Sequence, residues 1–295
     1  MMFFAILSFI LLFAARPADA VPAVVASIAP VHSAAAAVMD GIGTPEFLLN
    51  PAVSVHDYHL KPSDMRRLSR ADVLFWGGAP LESFLQKPIE AAGLTDKNVA
   101  LLSDSRLTVL PARGGHGATA DGHFWLMPEN MAQTARIIAE KLAALDPENA
   151  AAYKKNAEDF AKRTADLKQT GRRKLAPYSG MPYVTFHDAY QYFEKSFGLT
   201  PVGSVHVDSH HASGIGRMAE LREKMRQAGR LCLFSEPQFS DKSERIVAQD
   251  LPVVTATLDP IGAELTAGKG FYGDLMNALF DSFSGCFSKL REQGE

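Results

Sequence analysis

The sequence predicts an α/β protein of two lobes, each built on a parallel sheet, with one long backbone helix between them. Three observations carry this expectation. Short β-rich runs alternate with stretches at helical spacing from residue 21 to about residue 145, a second set of such runs follows residue 180, and a polar helical stretch separates the two sets. Strands that alternate with crossover-length helices build parallel sheets.

In the first lobe, residues 21–145, the strand runs are 24–28, 46–49, 73–76 and 99–102, all rich in Val, Leu, Phe and Ala. The linking segment, 146–178, opens on Asp146-Pro147-Glu148. Asp146 can cap a helix, Pro147 suits its first position, and Glu148 complements the positive end of the helix dipole. The helix should run to about residue 175, with Gly171 as its weak point and an apolar stripe of Tyr153, Phe160 and Leu167. At about 1.5 Å per residue it would reach roughly 40 Å, enough for a single strut to brace both lobes. The second lobe, 179–295, repeats the pattern with runs at 183–186, 202–205, 231–234 and 253–258.

Residues 1–20 differ from the rest. The first 15 carry no charge, residues 3–13 form an apolar core, and Ala18-Asp19-Ala20 has the small-x-small form of a signal-peptidase site. The run is short for a membrane span, so it reads as a secretory signal cleaved after Ala20, with an uncleaved anchor as the alternative. Export makes Cys232 and Cys286 a disulfide candidate, the alternative being two buried thiols. With 33 acidic against 30 basic residues and a net charge of -3, the chain lacks the basic face that phosphate contacts require, which excludes a nucleic-acid binder.

Among nine histidines, position singles out three. His56 follows the second strand run and precedes a Pro-initiated helix, His123 follows a Gly-rich loop and precedes another, and His187 ends the strand run at 183–186. In open α/β sheets the carboxyl ends of strands collect ligands, and two such lobes facing one another enclose a cleft. Asp259, at the end of the run 253–258, is a fourth candidate. Three imidazoles with one carboxylate or one water make a tetrahedral zinc set, whereas manganese would call for more carboxylates. Glu236, after the run 231–234, is placed to hold the second nitrogen of a ligating imidazole. Asp57 and Asp188 read as caps of the helices that follow them.

Five segments in order, His56-Asp57-Tyr58 with Lys61-Pro62-Ser63-Asp64, His123-x-Trp125-Leu126-x-Pro128-Glu129, Phe186-His187-Asp188-Ala189-Tyr190 with Tyr192-Phe193, Glu236-Pro237-Gln238-Phe239, and Leu258-Asp259-Pro260-Ile261-Gly262, resemble the metal-binding proteins of bacterial ABC importers, of the periplasmic zinc-binding ZnuA type. The resemblance implies two (β/α)4 lobes joined by a long helix, with zinc buried between them and delivered, by a monomer, to an ABC permease in the inner membrane. It assigns His56, His123 and His187 as ligands, with Asp259 as the fourth or in the outer shell and water in its place. It also implies a Cys232–Cys286 disulfide joining a strand to the C-terminal helix.

The chain departs from that pattern in two places. Val55 stands where some members carry a glutamate, and Arg113 to Gly122, where many carry a long His/Asp-rich loop, offers only His116 and Asp121. Two other features stand apart from the main set. His206, Asp208, His210 and His211 fall within six positions, either a weak auxiliary zinc site or a solvated loop, and His59 could join either set. His32 reads as an outer-shell or a surface residue. The alternatives to zinc delivery are a manganese-binding importer component or adhesin of the same fold and a zinc hydrolase; against the hydrolase, the chain has neither an HExxH pair nor a G-x-S-x-G elbow.

Overall fold

A computed structural model describes residues 21–49, 58–113, 120–206, 214–239 and 242–293. The first lobe runs β1 (Val24–Ala26), α1 (Ala29–Val38), β2 (Glu46–Phe47), α2 (Pro62–Arg70), β3 (Val73–Trp76), the short helices α3 (Ala79–Glu82) and α4 (Gln86–Ala91), β4 (Asn98–Ala100) and α5 (Pro128–Leu145). The long helix α6 (Ala150–Leu175) follows. The second lobe runs β5 (Tyr183–His187), α7 (Gln191–Phe197), β6 (Gly203–His206), α8 (Ile215–Ala228), β7 (Leu231–Ser235), α9 (Lys242–Ala248), β8 (Val253–Thr257) and α10 (Phe271–Glu292).

Each lobe holds a four-stranded sheet, in the order β2-β1-β3-β4 and then β6-β5-β7-β8, and every pairing between these strands is parallel. The central strands β1, β3 and β5 are buried along their whole length, and β7 is buried up to Ser235. This explains their continuous apolar composition, since a parallel sheet covered on both faces leaves no polar side. Edge strands β2, β4 and β8 are partly exposed. Both sheets reverse their winding between the two central strands, β1 and β3 or β5 and β7, and it is there that the strand ends open a crevice.

Tyr153 and Phe160 of α6 are buried, and Leu167 packs half-buried against the same core. Asp146 does cap, but over a short 3₁₀ turn at Pro147–Asn149 that leads into α6: its carboxylate accepts the Asn149 N–H and the Tyr153 hydroxyl. Gly171 is not a weak point. A Cβ there would lie 2.4 Å from the Phe280 ring and 2.6 Å from Phe197, so the missing side chain lets α10 and α7 close onto α6.

The strut is also not alone. At the start of α10, the Tyr272 N–H donates to Ser33 Oγ and its hydroxyl to the Trp125 carbonyl, while Lys269 pairs with Asp40. Further along, Phe280, Phe283 and Phe287 pack among Tyr183, Phe193, Phe197 and Phe234, and Cys286 is disulfide-bonded to Cys232 on β7. The alternative of two free thiols is thereby rejected, and α10 joins the lobes as a second brace. Among the described residues, no helix is long and apolar enough to cross a membrane.

Candidate metal centre

The site is assembled at the carboxyl ends of the second lobe's central strands and on the loop before α5. His187 is the last residue of β5, and Glu236 follows the end of β7. Because β5 and β7 are adjacent, the two side chains meet: His187 Nδ1 lies 2.7 Å from Glu236 Oε1. His123 comes from the first lobe, where Asp121 holds it twice, through its backbone N–H at 2.9 Å and through its ring Nδ1 at 2.8 Å.

A carboxylate can only accept, so each Nδ1 carries a hydrogen and each neutral ring presents its lone pair at Nε2. The two Nε2 atoms face each other at 3.3 Å. Two lone pairs at that separation repel unless a proton or a cation lies between them. For a zinc bound at about 2.0–2.1 Å from nitrogen, the edge of the coordination tetrahedron is about 3.3–3.4 Å. The spacing of the pair is therefore that of two ligands of one ion, oriented by carboxylates as metal-binding imidazoles are.

Both rings are buried. Burial pulls the His187 imidazole down, but the charge and hydrogen bond of Glu236, with Asp188 and Asp121 beyond, outweigh it and hold the ring above the ordinary histidine value. The Tyr190 hydroxyl also donates to Glu236 Oε1. Trp125 lies beside His123 and Phe239 beside His187, with ring centroids 5.4 Å and 6.0 Å apart; these aromatic walls limit water around the pair.

Asp259 closes a different circuit. Its Oδ1 accepts the Gln238 amide and the N–H groups of Ile261 and Gly262, while Oδ2 accepts the Ala263 N–H at 2.6 Å. Oδ2 thus keeps one lone pair. The carbonyl of the next residue, Pro260, accepts the Trp125 indole N–H at 2.7 Å, tying this loop to the one that carries His123.

Several residues singled out from the sequence stand elsewhere. His59 is exposed. His206 ends β6 half-buried, with its ring 4.8 Å from that of Phe186. His32 is neither a surface residue nor in the outer shell of the pair: it is buried against Phe47 and its Nε2–H donates to the Pro45 carbonyl. Asp188 does not cap α7, which has no side-chain cap; it pairs with Arg113. The leader 1–20 and His56, Asp57, His116, Asp208, His210 and His211 lie outside the described residues, and among the described residues no cluster of three or more His, Cys, Asp or Glu donors forms. The orienting role of Asp121 was missed in the sequence, although the Asp-x-His spacing, which lets one carboxylate reach both the backbone and the ring of His123, was a usable signal.

Two parallel α/β lobes with an imidazole from each meeting between them define a solute-binding protein of the metal-binding class. The model of one protein family, the periplasmic component A of the zinc-uptake complex, ZnuA, matches residues 24–286. The chain belongs to that family. It is 37% identical to the high-affinity zinc uptake system protein ZnuA of Brucella suis, over 90% of this chain and 92% of the relative. Among solved structures it is similar to the periplasmic zinc-binding protein TroA of Treponema pallidum, with a TM-score of 0.78 and 20% identity over 90% of this chain and 99% of that one. It is also similar to FpvC of Pseudomonas aeruginosa in complex with Mn2+, with a TM-score of 0.79 and 20% identity over 91% and 99%.

Proposed function

We propose that the chain captures zinc(II) between its lobes and delivers it to the permease of an ABC-type importer, as the names of its relatives describe. The observation that carries the proposal is the His123–His187 pair, with Nε2 atoms 3.3 Å apart and both Nδ1 atoms held by carboxylates. His56 supplies the third nitrogen. The fourth donor is either Asp259, whose Oδ2 keeps a lone pair, or a water. Three neutral nitrogens and at most one carboxylate favour zinc over a manganese ion, which prefers oxygen.

The role asks for a shielded site and no catalytic base, and the family is one of transport proteins rather than enzymes. The mature protein begins after Ala20, works in the periplasm as a monomer, and meets its permease at the inner membrane. His116 and the cluster of His206, Asp208, His210 and His211, which His59 could join, form either a weak auxiliary zinc site or a solvated loop, and the number of zinc equivalents bound decides between them.

A chelator-competition titration of the mature, metal-stripped chain with zinc and with manganese tests this reading. One tight zinc equivalent and much weaker manganese are expected, and any further weak zinc equivalents would be assigned to the His206 to His211 cluster. Manganese bound as tightly as zinc, or no tight site, would overturn it.

A further inference from the structure

One set of contacts across the lobe interface is made by Asp188 and by α7, the helix that follows His187. From the first lobe, Arg113 Nε donates to Asp188 Oδ2 at 2.9 Å and its Nη2 to Asp188 Oδ1, while Nη1 pairs with Glu194 Oε2 at 2.9 Å. One guanidinium thus engages Asp188 bidentately and Glu194 with its remaining nitrogen, the geometry to which its planar fork is suited. Asp188 is the residue after His187. Glu194 lies within α7, with its other oxygen taking the Tyr183 hydroxyl. The side chains of Asp188 and Glu194 are 15% and 7% exposed, and among the described residues Arg113 is the cation paired with either.

The same helix holds the residue that orients His123 and the chain ten and eleven residues before it. Gln191 Nε2 donates to the Pro111 carbonyl and to Asp121 Oδ2, each at 3.0 Å. The Tyr192 hydroxyl accepts the Leu110 N–H and donates to the Asp121 carbonyl, each at 2.9 Å. Asp121 Oδ1 in turn holds His123. This bundle of contacts runs directly between the loop that carries one imidazole and the helix that follows the other, and among the described residues its ionic members are the two pairs made by Arg113.

We propose that Arg113 is a positioning residue for the bound ion, a clamp from the first lobe onto Asp188 and Glu194 that sets how fast captured zinc leaves. The proposal rests on the zinc reading above. Arg113 donates nothing to the ion and carries the same sign of charge. Removing it therefore cannot slow the approach of a dication, and lost affinity must show as faster release. Loss of the clamp leaves two shielded carboxylates of like charge facing the place where their cation stood, a change that acts on dissociation more than on association.

The test is stopped-flow release of zinc from the zinc-loaded mature chain into excess chelator, with the association rate measured separately. Arg113→Ala should release zinc about tenfold faster, with association unchanged or slightly faster, and Arg113→Lys, which keeps the charge but not the fork, should recover part of the difference. The Arg113 side chain is 37% exposed, so salt reaches the pair: release from the unsubstituted chain should quicken between about 0.05 and 0.5 M ionic strength, while release from Arg113→Ala should stay flat. Equal release rates for the two proteins, or the same salt response in both, would overturn the clamp. An unsubstituted chain without a tight zinc site would remove the zinc reading itself, a failure visible before any substitution is made. Melting of the metal-free variants shows whether either has merely unfolded; if Arg113→Ala has, Arg113→Lys decides the matter, and its release must then exceed that of the unsubstituted chain.

Discussion

Glu236→Gln isolates what a carboxylate does for the imidazole it holds. The substitution is isosteric, and the amide oxygen still accepts from His187 Nδ1 and from the Tyr190 hydroxyl, which lie 2.7 Å and 3.3 Å from the present oxygen. What is lost is the charge. A carboxylate makes the far nitrogen of the ring a better donor to a metal, and losing such a partner costs about 10- to 100-fold in affinity, or about 1.4–2.7 kcal/mol. The charge also holds His187 above the ordinary histidine value against the opposing effect of burial. Zinc must displace that proton, so the affinity of the unsubstituted chain should start to fall at a pH above about 6.5 and drop further as the pH falls through the raised value. In the metal-free protein the same proton stabilises the fold fully below the unfolded value of about 6.5, and that contribution is lost as the pH rises through the folded value. Glu236→Gln leaves burial as the larger influence, which moves the acid limb of the zinc affinity to lower pH. Chelator competition at about pH 8 and about pH 6 should therefore show a large gap between the two proteins at the higher pH and a smaller one at the lower. A gap of less than about twofold at both, or one that does not change with pH, would refute the reasoning.

His187→Ala should cost zinc binding several kcal/mol, as the loss of one of three or four ligands does, whereas His59→Ala, at an exposed position, should cost almost nothing; equal losses in the same titration would remove His187 from the ligand set. Gly171→Ala gains about 1 kcal/mol of helix propensity but drives a methyl group into Phe280 and Phe197, where overpacking costs about 1–3 kcal/mol, so the urea midpoint should fall, and a rise would show that the rings yield freely. Breaking the disulfide by Cys232→Ser with Cys286→Ser releases a loop of 54 residues, worth about 4 kcal/mol on chain-entropy grounds, and a loss below about 1 kcal/mol in denaturant unfolding would refute that account.

The strand runs of the sequence coincide with the eight strands because central parallel strands must be apolar on both faces, a pattern that needs no knowledge of neighbours. Edge strands were read less well: β2 keeps two residues of a four-residue run. His123 and His187 could be found because the ends of strands and the starts of helices are local signals. What escaped depends on partners distant in the chain. Asp188 looks like a cap until Arg113, 75 residues away, is seen to take it. Gly171 looks like a flaw until Phe280 lies against it. The heptad of Tyr153, Phe160 and Leu167 announced α6, but nothing in the aromatic run of α10 says that its first turn belongs to the other lobe.

The separation of the two facing imidazoles bears on the life of the chain before it is folded. His123 and His187 are 64 residues apart in sequence (187 minus 123), and each depends on a carboxylate of its own lobe, Asp121 for one and Glu236 for the other. An incomplete chain, or either half produced alone, holds one member of the pair and lacks the complete ligand set. Metal should therefore be taken up as a late event of biogenesis, after both halves have docked.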